Sequence, residues 1–196
     1  MPSRPFTKLI NAPFTDVVTA AQISESAGAI AARAQGVNAL VDALAAQSLH
    51  DDAVRVLAVS LMPREAVWWA ALAAHAAMAV MRKPGDADAL AAAEAWVYKP
   101  TEENRRAAMA KAQSTQFDSA GAWAAVAAFW SGGSMAPPNA PVVPPPPFLI
   151  ARAVIGAVTL AAVAGPPDKI PGRYAQLVAQ GIDIAAGGNG RIAAPG

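Results

Sequence analysis

The chain contains no cysteine. Disulfides, thiol catalysis and thiolate zinc sites are therefore excluded, and the composition fits a reducing compartment. It has only two histidines, His50 and His75. They are too far apart to write the H-E-x-x-H pattern that places two imidazoles on one metal. Neither charge dominates: 15 basic residues face 14 acidic ones, for a net charge of +1. No global field draws the chain to nucleic acid or to an anionic membrane. No Gly-x-Ser-x-Gly, Ser-x-x-Lys or P-loop signature is present. No alternating pattern long enough for a strand is present either. Long apolar runs are also missing. The longest candidate, Ala66 to Met81, is shorter than the ~20 residues a membrane span needs, and it contains His75. The first residues lead into no apolar stretch of the kind a signal peptide requires. The expectation is a cytoplasmic protein that binds no cofactor and no metal and does not insert into membranes.

What is present is alanine and proline. Hydrophobic residues make up 55% of the 196 residues and charged residues 15%. That balance supports a core rather than a disordered chain. Much of the apolar share is alanine, the best helix former and small enough to let helices approach closely. The fold class expected is all-α, a single domain of about eight to ten helices. Residues 1–14 read as an arm across the domain, 15–190 as the helical domain, and 191–196 as a flexible tail. Within the domain, residues 132–148 form a Gly/Pro-rich strap before the last two helices.

The helical signals can be followed in order. Thr15 and Asp16 are caps for a first helix. Ser26 to Gln35 reads as a second, closed by Gly36, and Asn38 as the cap of a third. Asp51 and Asp52 introduce Val54, Leu57 and Leu61 at helical spacing. Pro63 opens a helix that is apolar nearly all round from Val67 to Val80, hence central. A further helix presents Leu90 and Trp96. Thr101 caps the most polar helix, where Glu102 and Glu103 precede Arg105, Arg106 and Lys111. That order complements the helix dipole and reads as a solvated face. Trp123, Val126, Ala127 and Trp130 share a face of the next helix, which stops at Gly132-Gly133. Apolar segments from Ile150 to Val163 and from about Arg173 to Ala186 complete the set.

Three features carry candidate chemistry, each with a plainer reading that is preferred. His50-Asp51-Asp52 joins a histidine to carboxylates, but the aspartates suit a helix start and His50 the end of the previous helix. His75 lies among alanines and reads as a core histidine with one hydrogen-bond partner. Gly187-Gly188-Asn189-Gly190-Arg191 resembles a phosphate loop, yet it follows a helix and opens none, so it reads as a helix cap. The proline run from Pro137 to Pro147, about 34 Å long if fully extended, lacks the basic residue that polyproline ligands of SH3-like domains carry. It reads instead as a strap anchored by Val142, Val143 and Phe148. If Phe148 is buried, Phe148→Ser is expected to lower stability by roughly 2–4 kcal/mol.

Three passages resemble a known family. They are Leu61 to Trp69 (Leu-Met-Pro-Arg-Glu-Ala-Val-Trp-Trp), Pro100 to Arg106 (Pro-Thr-Glu-Glu-Asn-Arg-Arg), and Ala122-Trp123 through Phe129-Trp130-Ser131-Gly132-Gly133-Ser134 with the prolines that follow. Over roughly residues 50–185 the chain is similar to an uncharacterised bacterial all-helical family, a domain of unknown function. The resemblance implies no enzymatic activity and no catalytic residue. It implies an association with bacterial secretion genes, the type VI system in particular. The function expected is a non-enzymatic adaptor or accessory factor that binds a protein partner. Its candidate interaction surface is Trp123, Trp130, Pro144 and Phe148. The competing expectation is an enzyme or small-ligand binder with a pocket lined by Trp96, Tyr98, Trp123 and Trp130, using His50 or His75.

Overall fold

The computed structural model describes residues 4–192. Ten α-helices account for most of them: α1 (Phe14–Ala21), α2 (Glu25–Ala31), α3 (Val37–Ala46), α4 (His50–Ser60), α5 (Pro63–Val80), α6 (Asp86–Tyr98), α7 (Glu102–Ser114), α8 (Ala120–Phe129), α9 (Leu149–Val163) and α10 (Ile170–Ala185). A 3-10 turn, Pro167–Lys169, leads into α10. Among the described residues there is no strand, only an isolated antiparallel bridge between Leu9 and Leu61. The all-α expectation is met, and the proline-rich segment does precede the last two helices. No helix among the described residues is long and apolar enough to cross a membrane.

Alanine determines how these helices pack. In α8 every residue except Trp123 is buried, and Ala122, Ala124, Ala125, Ala127 and Ala128 are fully so. Side chains this small let α5, α6, α7 and α9 close around α8 on all sides. Helix α9 also packs against α4 and α10, and so joins this group to the one formed by α1, α3, α4 and α10. Trp69 of α5 is fully buried, and its indole N–H donates to the Leu177 carbonyl of α10 at 2.9 Å. Trp68, about 100° around the same helix, is half-buried.

Several helix starts differ from the sequence reading, each for a local reason. Helix α1 begins at Phe14 after Pro13, with no side-chain cap from Thr15 or Asp16. Helix α2 is capped by Ser24, whose hydroxyl accepts from Ala27 N–H, and it ends at Ala31. Gly36, at φ +113°, is the N-cap of α3 rather than the end of α2. Asn38 lies inside α3, and its Oδ1 accepts the Phe6 N–H at 2.9 Å. His50 opens α4 instead of closing α3. Asp52 is buried and accepts both the N–H and the hydroxyl of Ser24, each at 2.7 Å. It therefore fastens the start of α2 to the start of α4. Thr101 and Ser119 cap α7 and α8 through Asn104 and Ala122 N–H. Helix α10 starts at Ile170, three residues before the expected Arg173.

The N-terminal segment is tied to the helices through its backbone. Thr7 and Lys8 N–H both donate to the Ala185 carbonyl, Ile10 N–H donates to Ser60, and Met62 N–H donates to Lys8. Of the expected tail, residues 193–196 lie outside the described residues.

Candidate interaction sites

Helix α7 carries the first site. Its polar composition reads as a solvated face, but Arg105 is buried, with its side chain 4% exposed. Four of its five N–H groups donate hydrogen bonds. Nε and Nη2 donate to the two Glu102 oxygens at 2.6 and 2.8 Å. Nη1 donates to the Phe129 carbonyl at 2.6 Å and Nη2 to the Ser134 carbonyl at 2.7 Å. The guanidinium carbon lies 4.5 Å from the centroid of the Phe129 ring. Arg106 adds bonds to Glu102 Oε1 at 2.6 Å and to the Ala136 carbonyl at 3.1 Å. The arginines thus grip the chain just beyond α8. The hydrogen bond from Arg105 is the main reason that the Glu102 carboxyl sits at about 2, below its ordinary 4.5; desolvation opposes the drop, and Arg106 reinforces it.

The Ser-Gly-Gly-Ser stretch follows from this grip. Gly133 has φ +65°, and a Cβ there would meet the Arg105 guanidinium at 2.9 Å. Ser134 accepts from the N–H of Ala136 and of Val143, while Met135 N–H donates to the Val143 carbonyl at 2.7 Å. A turn closed by Ala140 N–H on the Pro137 carbonyl lies between them. Residues 134–143 therefore form a closed loop, and the four prolines from 144 to 147 run from it to α9.

The strap is thus held by arginines and main-chain bonds, not by its valines. Val142 is 77% exposed, Val143 is exposed as well, and so is Pro144. Phe148 is half-buried against the core and occupies the left-handed region at φ +60° as the residue before α9. Because the ring is only partly buried, Phe148→Ser should lower stability by about 1–2 kcal/mol instead of the larger value expected for a fully buried ring. Chemical denaturation reads this directly. Trp123 and Trp130 are half-buried and pack edge-on at 6.3 Å between ring centroids. A Cβ on Gly156 of α9 would meet the Trp123 ring at 3.3 Å, so α9 lies flush against it.

A second site lies where four chain segments meet. Lys8 comes from the N-terminal segment, and Arg64, Glu65 and Trp68 from the first turns of α5. Val97 and Tyr98 end α6, and Ile184 with the 187–189 loop ends α10. Together they line an open cleft of about 300 Å³. The Trp68 and Tyr98 rings are 6.4 Å apart at a tilt of 59°, and Tyr98 is 67% exposed. Arg64 Nε donates to the Val97 carbonyl at 2.7 Å, and Trp68 Nε1 to the Asn189 carbonyl at 2.8 Å. Arg191 sits over the Trp68 ring at 5.3 Å.

The glycine-rich loop beside this cleft is a helix cap, as its position after α10 implies. Gly187 N–H donates to Ile184, Gly188 N–H to the Asp183 carbonyl, and Gly190 N–H to the Asp183 carboxylate. These donors face the helix end, so they form no phosphate cradle. The loop is also pinned, since a Cβ on Gly188 would collide with the Asp183 carboxylate and Gly190 is buried against Leu72.

The histidines do not join either site. His50 is half-exposed at the start of α4. His75 is exposed rather than in the core, and it meets Glu94 of α6 at 3.0 Å. Helix α5 is enclosed only along its first two-thirds, and His75 falls where that cover ends. Of the four aromatics expected to line one pocket, Tyr98 lines the cleft while Trp96 is buried in the core. Among the described residues no group of three or more His, Cys, Asp or Glu is placed to hold a metal ion. Sequence reasoning missed the Arg105 clamp and the Trp68 cleft. The signal available for the first was Glu-x-x-Arg-Arg on an alanine-faced helix, followed by a glycine pair.

The model of a family of unknown function, DUF6931, matches residues 40–185. No curated protein and no solved structure matches the chain.

Proposed function

From a chain that belongs to this family of unknown function, we propose a non-enzymatic interaction protein, an adaptor or accessory factor, that offers its proline segment to a partner. One observation carries the reading. The segment is fastened at its base by Arg105 and Arg106 and at its end by the half-buried Phe148, while Val142 is 77% exposed between them. An exposed valine between prolines adds no packing to its own fold. Held in one shape by these contacts, the segment loses little conformational entropy on docking. An aromatic-lined groove of the kind that reads uncharged extended proline chains suits it. The absence of a correctly placed basic residue argues for such a groove over an SH3-like one. Trp123 and Trp130, half-buried and paired, flank the same region of the sequence and supply rigid aromatic surface.

The finer expectations belong with this proposal: a bacterial, cytoplasmic protein that serves a secretion apparatus of the type VI kind. The bacterial and secretion parts draw on the family resemblance, the cytoplasmic part on the lack of cysteine and of a signal-peptide pattern, and none on a contact in the fold. Affinity capture from native cells, with the intact chain and with Val142→Asp as baits, tests the docking claim. A partner enriched by the first and lost with the second supports it. Identical capture profiles from the two baits would sink it, since an exposed side chain can change without harming the fold.

A further inference from the structure

We propose that the cleft between Trp68 and Tyr98 binds a short acidic peptide segment of a partner protein, in which a carboxylate neighbours an apolar or aromatic side chain. The site shares no residue with the proline segment, so it stands apart from the function proposed above.

Charge points first to an anion. Lys8 and Arg64 line the cleft together with a single carboxylate, Glu65, and Arg191 adds a third cation over the Trp68 ring. The Lys8–Glu65 pair is loose at 3.6 Å. Arg64 spends Nε on the Val97 carbonyl, and its two terminal nitrogens have no partner among the described residues. A guanidinium held by one edge presents the fork that a carboxylate binds with two parallel hydrogen bonds. A phosphate group fits less well. The backbone N–H groups of Gly187, Gly188 and Gly190, which could have cradled it, are turned inward onto Ile184 and Asp183.

The apolar part of the ligand follows from the rings. Tyr98 is mostly exposed and Trp68, with Arg191 over its ring, is partly so, while Val97 and Ile184 back the apolar lining. Trp68 is locked by its bond to Asn189, so this surface exists before the ligand arrives. Openness selects a peptide over a free small acid. Small-molecule sites enclose ~70–90% of their ligand, whereas here Tyr98 remains 67% exposed. A chain that continues beyond the cleft gains contacts on the outer faces that a small acid cannot reach.

The test is a titration of the full ¹⁵N-labelled chain, followed by NMR. The probes are blocked tetrapeptides with Gly-Phe-Glu-Gly, Gly-Phe-Gln-Gly and Gly-Phe-Lys-Gly cores, with phenylacetate as the free acid. The glutamate peptide should shift the Trp68 indole N–H and the Gly187 and Gly188 amides in a saturable way, and more weakly as salt is raised. The glutamine peptide should bind about tenfold more weakly, and the lysine peptide not at all. Arg64→Gln and Tyr98→Ala should each weaken the glutamate peptide by a similar factor. Arg64 also holds the α6 terminus, so Tyr98→Ala, which alters an exposed ring, decides the matter if Arg64→Gln perturbs the fold. The proposal is overturned if no saturable shift occurs, if the glutamine peptide binds as well as the glutamate one, or if phenylacetate matches the peptide.

Discussion

Burying an arginine is unfavourable unless its N–H groups find oxygens, and Arg105 meets that condition with four short bonds to Glu102, Phe129 and Ser134. Arg105→Ala would leave the Phe129 carbonyl without its side-chain donor and the Ser134 carbonyl with only the longer bond from Arg106 Nη2, at 3.4 Å. Each such loss costs about 1–3 kcal/mol, so the urea midpoint should fall by an amount worth about 2–4 kcal/mol. Arg105→Lys should recover less than half of that, because an ammonium cannot reach three acceptors from one plane. An alanine variant as stable as the parent would show that the clamp adds nothing. Acid tests the same contact. Glu102 sits at about 2 in the fold against an ordinary 4.5. Its contribution is therefore complete above about 4.5 and fades as pH falls toward 2, where the folded state also takes the proton. The Glu102 side chain is 54% exposed, so water and salt screen the effect. Glu102→Gln should flatten the loss of melting temperature between pH 4.5 and 2, and added salt should shrink the difference. Parallel melting curves for the two proteins across that range would contradict this.

Between helices, the decisive variable is how closely small residues let backbones approach. Gly181 of α10 is such a point: a Cβ there would meet the Trp69 ring at 2.9 Å and Leu57 Cδ1 at 3.0 Å. Alanine is favoured over glycine inside a helix by about 1 kcal/mol. Overpacking a filled core costs about 1–3 kcal/mol. Trp69 is fully buried and fixed to Leu177, so the ring cannot yield and overpacking should win. Gly181→Ala is expected to lower stability by about 1–2 kcal/mol. Gly172→Ala, in the same helix with nothing within 4 Å of its Cβ, should raise it by up to about 1 kcal/mol. Equal effects at the two glycines would mean that propensity, not packing, governs α10. This also explains what was legible in the sequence. Helix content, the Thr101 cap and the Pro63 start are written in local residue chemistry and could be read. The burial of Arg105 on α7 could not, because whether an arginine faces water depends on the carbonyls of a distant segment. His75 is the reverse case: alanine neighbours suggest a core, but only the neighbouring helices decide how far cover extends. The Trp68 cleft gathers residues from four separated segments, and no spacing along the chain announces that meeting.

At the scale of the whole molecule, the clamp joins two parts of different character. Helices α5, α6, α8 and α9 bury nearly every residue they present to one another, while the 134–147 segment is attached through a few polar contacts. Stability should therefore be uneven, with the segment opening at lower free energy than the helical body. Hydrogen exchange can separate the two. In the parent protein the Met135 amide, bonded to the Val143 carbonyl, and the Val143 amide, bonded to Ser134 Oγ, should exchange slowly for surface groups. The Trp69 indole N–H, buried on the Leu177 carbonyl, should open only with global unfolding. Arg105→Ala removes the shorter of the two arginine bonds on the Ser134 carbonyl, leaving only Arg106 Nη2 at 3.4 Å, so Met135 and Val143 should lose most of their protection. Trp69 should lose only the protection that corresponds to the fall in global stability. If all three sites weaken by the same free energy, the segment and the body unfold as one unit. The clamp would then be a part of the core rather than the fastening of a separable, partner-facing strap.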